Sequence, residues 1–144
     1  MTEVDKSGEA IARAIRMALE MAKLDPSDID YINAHGNAMQ DYDVAETNAF
    51  KLVFRQRAYS IPISSIKPIT GQSFSATGAF QVISSCLTLK TGIIPPTINY
   101  ETPDVECDLD YVPNKPRKAR IKNVLMNAQN FGTHSVLILG RYDP

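Results

Sequence analysis

Apolar residues return every three or four positions between Ser7 and Leu24, at Ile11, Ile15, Leu19 and Ala22. That spacing predicts an amphipathic helix, with Ser7 placed to cap its start. The turn-forming run "DPSD" (25–28) interrupts the pattern, and the short apolar stretch from Ile29 to Ala34 then reads as a buried strand ending at His35. Beyond "NAMQDYD" helical spacing resumes, with Val44, Ala45, Ala49, Leu52 and Val53 on one face. Asp41, Asp43 and Glu46 lie near the start of this second helix, where negative charge complements its dipole. The alternating, β-branched run "YSIPISSI" (59–66) predicts a strand, and Pro62 marks it as an edge strand or a strand start.

A glycine-bearing connector follows, and Ala79, Val82, Ile83, Cys86 and Leu87 then repeat at helical spacing. They predict a helix with a buried apolar face that runs to about Lys90 and stops at Gly92, so Cys86 is expected to face the core. Residues 93–116 are rich in Pro, Asp and Asn and read as one long ordered loop. The chain closes with two β-type runs, "IKNVLMNA" and "SVLILGRY", on either side of "QNFGTH", a predicted hairpin over a glycine-bearing turn. Helices alternating with strands and closed by a hairpin imply a layered α/β domain with a mixed sheet.

Composition narrows the function more than the fold. The 144 residues fit one domain, and 44% hydrophobic with 22% charged residues is the balance of a chain with a packed core. A formal charge of -1 provides no field to hold a polyanion, which argues against nucleic acid as a partner. The basic run 113–122 follows an acidic run, 101–110, and reads as a solvated face. Two cysteines, Cys86 and Cys107, without CxxC spacing suit a reducing, cytoplasmic setting. The start "MTEVDKSGEA" lacks the apolar core of a signal peptide, and no apolar run approaches bilayer-spanning length, so no membrane partner is expected.

Three junctions fall where open α/β sheets place ligands, at strand ends facing helix starts: "NAHGNA", "SSIKPITGQS" and "NAQNFGTH". A histidine ending a buried strand can donate to a developing oxyanion, and Lys67 can add fixed positive charge. Taken singly each has a plainer reading: His35 as a satisfied structural histidine, Lys67 as a salt-bridge partner, Gln72 as a loop-capping amide, His134 as a bond to the backbone of its turn. Cys107 has no nearby cation or helix N-terminus to lower its pKa, and neither cysteine reads as a nucleophile. Two isolated histidines without ligand spacing and the absence of a P-loop predict no metal and no cofactor.

Read together and in order, "GEAIARAIRMALEMAKLDPSDIDYINAHG", "DYDVAETNAF", "ISSIKPITG", "TGAFQVISSCLTLKTGIIPPTIN", "PDVECDLDYVPN" and "LMNAQNFGTHSVLIL" resemble the C-terminal half of the β-ketoacyl-acyl carrier protein synthases, the elongating ketosynthases of fatty-acid and polyketide synthesis. The resemblance covers nearly the whole chain. It implies a thiolase-like fold, in which two similar α/β halves pack as an α-β-α-β-α sandwich and the enzyme dimerises. Residues 1–144 are then one domain, the second half without its opening strand and without the N-terminal half that carries the nucleophilic cysteine. The implied chemistry is a decarboxylative condensation: a cysteine accepts an acyl group from a carrier protein, malonyl-carrier loses CO2, and its enolate attacks the acyl thioester. The implied partners are an acyl carrier protein with its phosphopantetheine arm and the missing half or a partner subunit.

Carried over by position, His35 in "AHG" matches the first oxyanion-binding histidine, and Lys67 matches the lysine that organises the site's electrostatics. Gln72 stands where the family has its second histidine; its amide can donate a hydrogen bond but cannot carry a proton. Asn37 and Met39 replace threonines that hold the pantetheine arm. Gln129 takes the place of the gating phenylalanine, Phe131 is kept, and Asn130 and Thr133 replace glycines, with strain expected at Thr133. Such changes, gathered in one pocket, imply altered substrate use or lost condensation. The alternative reading is a non-catalytic partner similar to chain-length factors, and a free-standing half is expected to expose an apolar face and self-associate.

Overall fold

The computed structural model describes residues 4–130 and 132–142. Helix α1 (Glu9–Ala22) buries Ile11, Ala12, Ile15 and Leu19, the stripe that the apolar spacing requires. Its cap is Gly8 rather than Ser7, whose hydroxyl instead accepts the Glu9 N–H at 3.3 Å. Strand β1 (Tyr31–Asn33), helix α2 (Gln40–Phe54) and strand β2 (Ile63–Ser64) follow. After the one-turn helix α3 (Lys67–Thr70) come helix α4 (Thr77–Thr91), the short strands β3 (Ile93–Ile94) and β4 (Arg117–Lys118), and the long strands β5 (Asn123–Asn130) and β6 (Thr133–Gly140).

The main sheet runs β2-β1-β5-β6, parallel except for the antiparallel β5–β6 pair. It is the expected mixed sheet, and Pro62 precedes its edge strand. Helices α1 and α2 cover one face through Ile15, Phe50, Ile32 and Leu125. Helix α4 lies on the other face, where Leu89 packs with Tyr31, Val124 and Ile94. The Pro-rich stretch is less irregular than its composition implies: β3 and β4 pair antiparallel, and Thr97 bridges to Pro113, so residues 97–113 form a closed excursion.

Two further expectations are overturned. The first is the apolar face of α4, which is turned outward: Phe80, Ile83 and Leu87 are exposed, as is Cys86. The buried face carries Thr77, Gln81, Ser85, Thr88 and Leu89. The reason lies underneath. Gln81 Nε2 donates to the carbonyls of Asn33 (3.3 Å), Ala34 (3.0 Å) and Asn127 (3.0 Å), while Asn33 Nδ2 donates to Gln81 O and Ser85 Oγ. The carbonyls of Asn33 and Ala34 at the end of β1 and of Asn127 within β5 thus find donors on a polar helix face inside the protein.

The second concerns Thr133: the expected hairpin is present, but its strands run on through Gln129, Asn130, Thr133 and His134, so a tight turn separates them. Positive φ falls on Gly132 (71°), as such a tight turn demands. Thr133 pairs with Asn130 within β6 and is absent from the positive-φ residues, so the strain expected there does not arise.

Candidate functional site

The site is built where β1 ends. His35 N and Gly36 N donate to the two oxygens of Glu46 on α2, at 2.7 and 3.0 Å, and Asn127 Nδ2 donates to Glu46 Oε1 at 2.6 Å. Asn37 N donates to Asp43 Oδ1 at 3.2 Å. The backbone after β1 therefore wraps around two carboxylates from the first turns of α2. It turns at Gly36, φ 36°, where an added Cβ would stand 2.7 Å from Ser65 Cβ. Only glycine admits this approach. Ser65 closes the junction, donating through Oγ to Gly36 O at 2.7 Å and accepting the Lys67 N–H at 3.3 Å.

The fold brings His35 and Lys67 together, as the sequence predicts. Both are buried, Lys67 Nζ donates to the His35 carbonyl oxygen, and Nζ lies 3.5 Å from His35 Nδ1. The Gln129 N–H also donates to His35 Nδ1, at 3.1 Å. With Nδ1 accepting, Nε2 carries the proton and is the ring's donor. Burial, with Lys67 and His134 adding repulsion, pulls the His35 pKa down to about 4. The imidazole is neutral at physiological pH, an N–H dipole fixed in a water-poor setting. Burial lowers the Lys67 pKa, opposed by Glu46 and Asp43. Burial raises that of Glu46, opposed by its bonds from Gly36, Asn127 and His35.

A cavity of about 780 Å³ opens beside this cluster, lined by Lys67, Glu46, Asp43, Asn37, Gln72 and Cys107 among others. Gln72 reaches its wall, but the side chain is exposed and its Oε1 accepts from Thr77 Oγ1 at 3.3 Å, at the start of α4, rather than meeting His35. Asn37 lines the cavity, with Oδ1 accepting the Met39 N–H at 3.1 Å, and Met39 is exposed at the head of α2. Gln129 contributes its backbone N–H, and Phe131 lies outside the described residues. Burial and the nearby Asp104, Asp43 and Glu106 raise the Cys107 pKa, outweighing a hydrogen bond from Thr47 that lowers it, and leave an inert thiol.

Sequence reasoning missed Glu46 as a centre of the site, reading it only as a dipole partner. It also missed Asn127 and Gln81. The available signal was an acid on the buried stripe: Glu46 follows Ala45 and precedes Ala49 by three, among residues that must face the core. His134, set aside as a turn residue, stands directly across from Gln129 and acts electrostatically on His35.

The layered mixed α/β arrangement is thiolase-like, as in ketosynthase structures. Residues 1–101 match the family described as "Beta-ketoacyl synthase, C-terminal domain", and the chain belongs to that family. It is 45% identical over 142 residues to the tetracenomycin polyketide synthase ketoacyl synthase alpha subunit of Streptomyces glaucescens, covering 98% of this chain and 33% of that protein. Among solved structures it is similar to a type II polyketide acyl-carrier protein complex with its ketosynthase bound to the hexaketide, with TM-score 0.96 and 41% identity over 99% of this chain and 35% of that one. It is likewise similar to the ishigamide ketosynthase/chain length factor, with TM-score 0.90 and 36% identity over 95% of this chain and 34% of that one. The chain thus spans about a third of the length of the relatives it matches.

Proposed function

We propose that this domain supplies the oxyanion-binding and electrostatic side of a condensing site that joins a malonyl-carrier extender to an acyl thioester in polyketide or fatty-acid synthesis. The observation that carries the reading is the buried, neutral His35, with Nδ1 engaged by the Gln129 N–H and Lys67 alongside. In this reading the acyl group waits as a thioester on a cysteine of the complete enzyme. The malonyl group loses CO2, and the electron pair of the broken C–C bond becomes an enolate whose oxygen receives the His35 Nε2–H bond. The enolate carbon attacks the acyl carbonyl, the new C–C bond forms, and the thiolate leaves. Lys67 stabilises the negative charge and holds the His35 carbonyl in place. Neither thiol of this chain serves as nucleophile: Cys86 lies exposed on α4, and the Cys107 thiol stays protonated.

The partners in this reading are an acyl carrier protein presenting its phosphopantetheine arm past Asn37 and Met39, and a second ketosynthase-type unit, as a homodimer or a paired subunit, against the apolar face of α4. The location is the cytoplasm. No helix among the described residues is long and apolar enough to cross a membrane, which is compatible with that location. The test is CO2 release from malonyl-carrier by the intact protein and by its His35→Ala and Lys67→Ala variants. Equal rates in all three would refute the assignment.

One observation favours a second reading, a non-catalytic partner that resembles a chain-length factor. Gln72 is exposed and is bonded through its Oε1 to Thr77 rather than to His35. Against it stands the intact pairing of His35 with Lys67.

A further inference from the structure

Edge strand β2 has a strand on one side only, so the N–H groups on its outer side must find partners elsewhere. Ile63 N–H donates to Asp110 O at 2.8 Å. Ser65 N–H, two residues further along the same edge, donates to the Thr97 hydroxyl at 3.1 Å, and that hydroxyl donates its own proton to Tyr111 O at 2.8 Å. Ser65 is buried, so loss of the hydroxyl would leave its N–H a buried donor without a partner.

Thr97 is itself held from both sides. Its N–H donates to Val112 O at 3.0 Å, and its carbonyl accepts the Asn114 N–H at 2.9 Å. Val112 is buried at φ 46°, a left-handed conformation that β-branched residues rarely adopt. Such strain persists where the surrounding structure over-determines the backbone, and it gathers at functional sites.

Ser65 passes the constraint on. Its Oγ donates to Gly36 O at 2.7 Å, which sets the turn after His35, and accepts the Lys67 N–H at 3.3 Å, which sets the start of α3. Lys67 Nζ then meets the His35 carbonyl between those two fixed points. One serine governs where the pair meets, and the Thr97 hydroxyl governs the serine.

Resting on the condensing role above, we propose that Thr97 is a positioning residue for the His35–Lys67 pair: its hydroxyl pins Ser65, and through Ser65 it holds Lys67 Nζ on the His35 carbonyl. It acts through Ser65 and takes part in no bond-breaking step. The hydroxyl is needed as acceptor and donor at once, which serine reproduces and valine does not.

The experiment compares the intact protein with Thr97→Val, which keeps the shape and loses the hydroxyl, and Thr97→Ser, which keeps the hydroxyl and loses the methyl. Malonyl-carrier decarboxylation is measured with kcat and KM resolved. The setting of Lys67 is read separately, as its acetylation by acetic anhydride relative to that of exposed Lys118, followed by peptide mass spectrometry. In Thr97→Val the expected result is a kcat lowered about tenfold or more with KM little changed, because a small misplacement of a site group is costly to the chemical step. Acetylation of Lys67 should rise in the same variant, and Thr97→Ser should retain wild-type behaviour in both readouts. If Thr97→Val does not fold, Thr97→Cys, whose thiol is a weak donor and acceptor, takes its place with the same expectation. Unchanged kcat and unchanged Lys67 acetylation in the hydroxyl-free variant would overturn the proposal, as would a rise in KM alone or a Thr97→Ser variant as impaired as Thr97→Val. A wild type that releases no CO2, with Lys67 acetylation still separating the two variants, would refute the condensing role and leave the positioning of Lys67 by Thr97 standing.

Discussion

The Gln129 backbone N–H donates to His35 Nδ1 at 3.1 Å, across 94 positions of sequence, and that bond decides which imidazole nitrogen carries the proton. It turns a titratable group into a fixed donor, since burial and Lys67 already hold its pKa near 4. Replacing His35 by alanine removes that donor. The expected loss in malonyl-carrier decarboxylation by the intact protein is about a hundredfold to a thousandfold, the typical effect of deleting one oxyanion contact. Circular dichroism should show the fold retained.

The same depressed pKa makes a stability prediction. A histidine whose folded pKa lies below its unfolded value contributes stability that is fully present above pH 6.5 and lost as pH falls through about 4. His35→Gln, neutral at every pH, serves as the reference. The stability gap between wild type and variant in urea titrations should stay constant above pH 6.5 and shift against the wild type on acidification, by about 1.4 kcal/mol for each pH unit separating the two pKa values. A gap independent of pH down to 4 would mean that the imidazole is not held neutral.

Glu46 ties together three donors from three elements, the N–H groups of His35 and Gly36 and the amide of Asn127. Glu46→Ala strands all of them in a buried setting. The expected destabilisation is about 3–5 kcal/mol, read as a lowered urea midpoint, because each unmade buried bond costs on the order of 1–3 kcal/mol and partial collapse or water entry recovers some of it. Loss of less than 1 kcal/mol would show that the carboxylate is not the centre of the junction.

Gln72→His distinguishes the enzyme from the partner-subunit reading. If the intact protein is a condensing enzyme short of one donor, malonyl-carrier decarboxylation should rise about tenfold or more. An unchanged rate in a well-folded variant favours the non-catalytic partner.

Phe80, Ile83 and Leu87 form an exposed apolar stripe on α4, with Phe74 exposed just before the helix. The isolated 144-residue chain should self-associate in sedimentation velocity runs at high concentration, and Ile83→Lys with Leu87→Lys should return it to monomer. A wild-type chain that stays monomeric would show that the stripe has no tendency to be covered.

Much of this protein was legible as periodicity. The α1 stripe, the strand leading into His35, the edge position after Pro62 and the closing hairpin each follow from a local repeat that fits one secondary structure, and ordered motifs marked His35 and Lys67. Local pattern failed where burial depends on partners distant in sequence. Hydrophobicity alone predicts that α4 buries its apolar stripe, yet the helix turns Gln81 and Ser85 inward because backbone carbonyls at Ala34 and Asn127 need donors there. Glu46 looked like a surface acid near a helix start, and it is buried because two backbone N–H groups and an amide converge on it. The sequence by itself determined which segments become helix and strand, since that choice is made by neighbours three or four residues away. Only the tertiary structure decided which polar groups are buried together, because a buried charge or amide is tolerated solely where distant parts of the chain supply its hydrogen-bond partners.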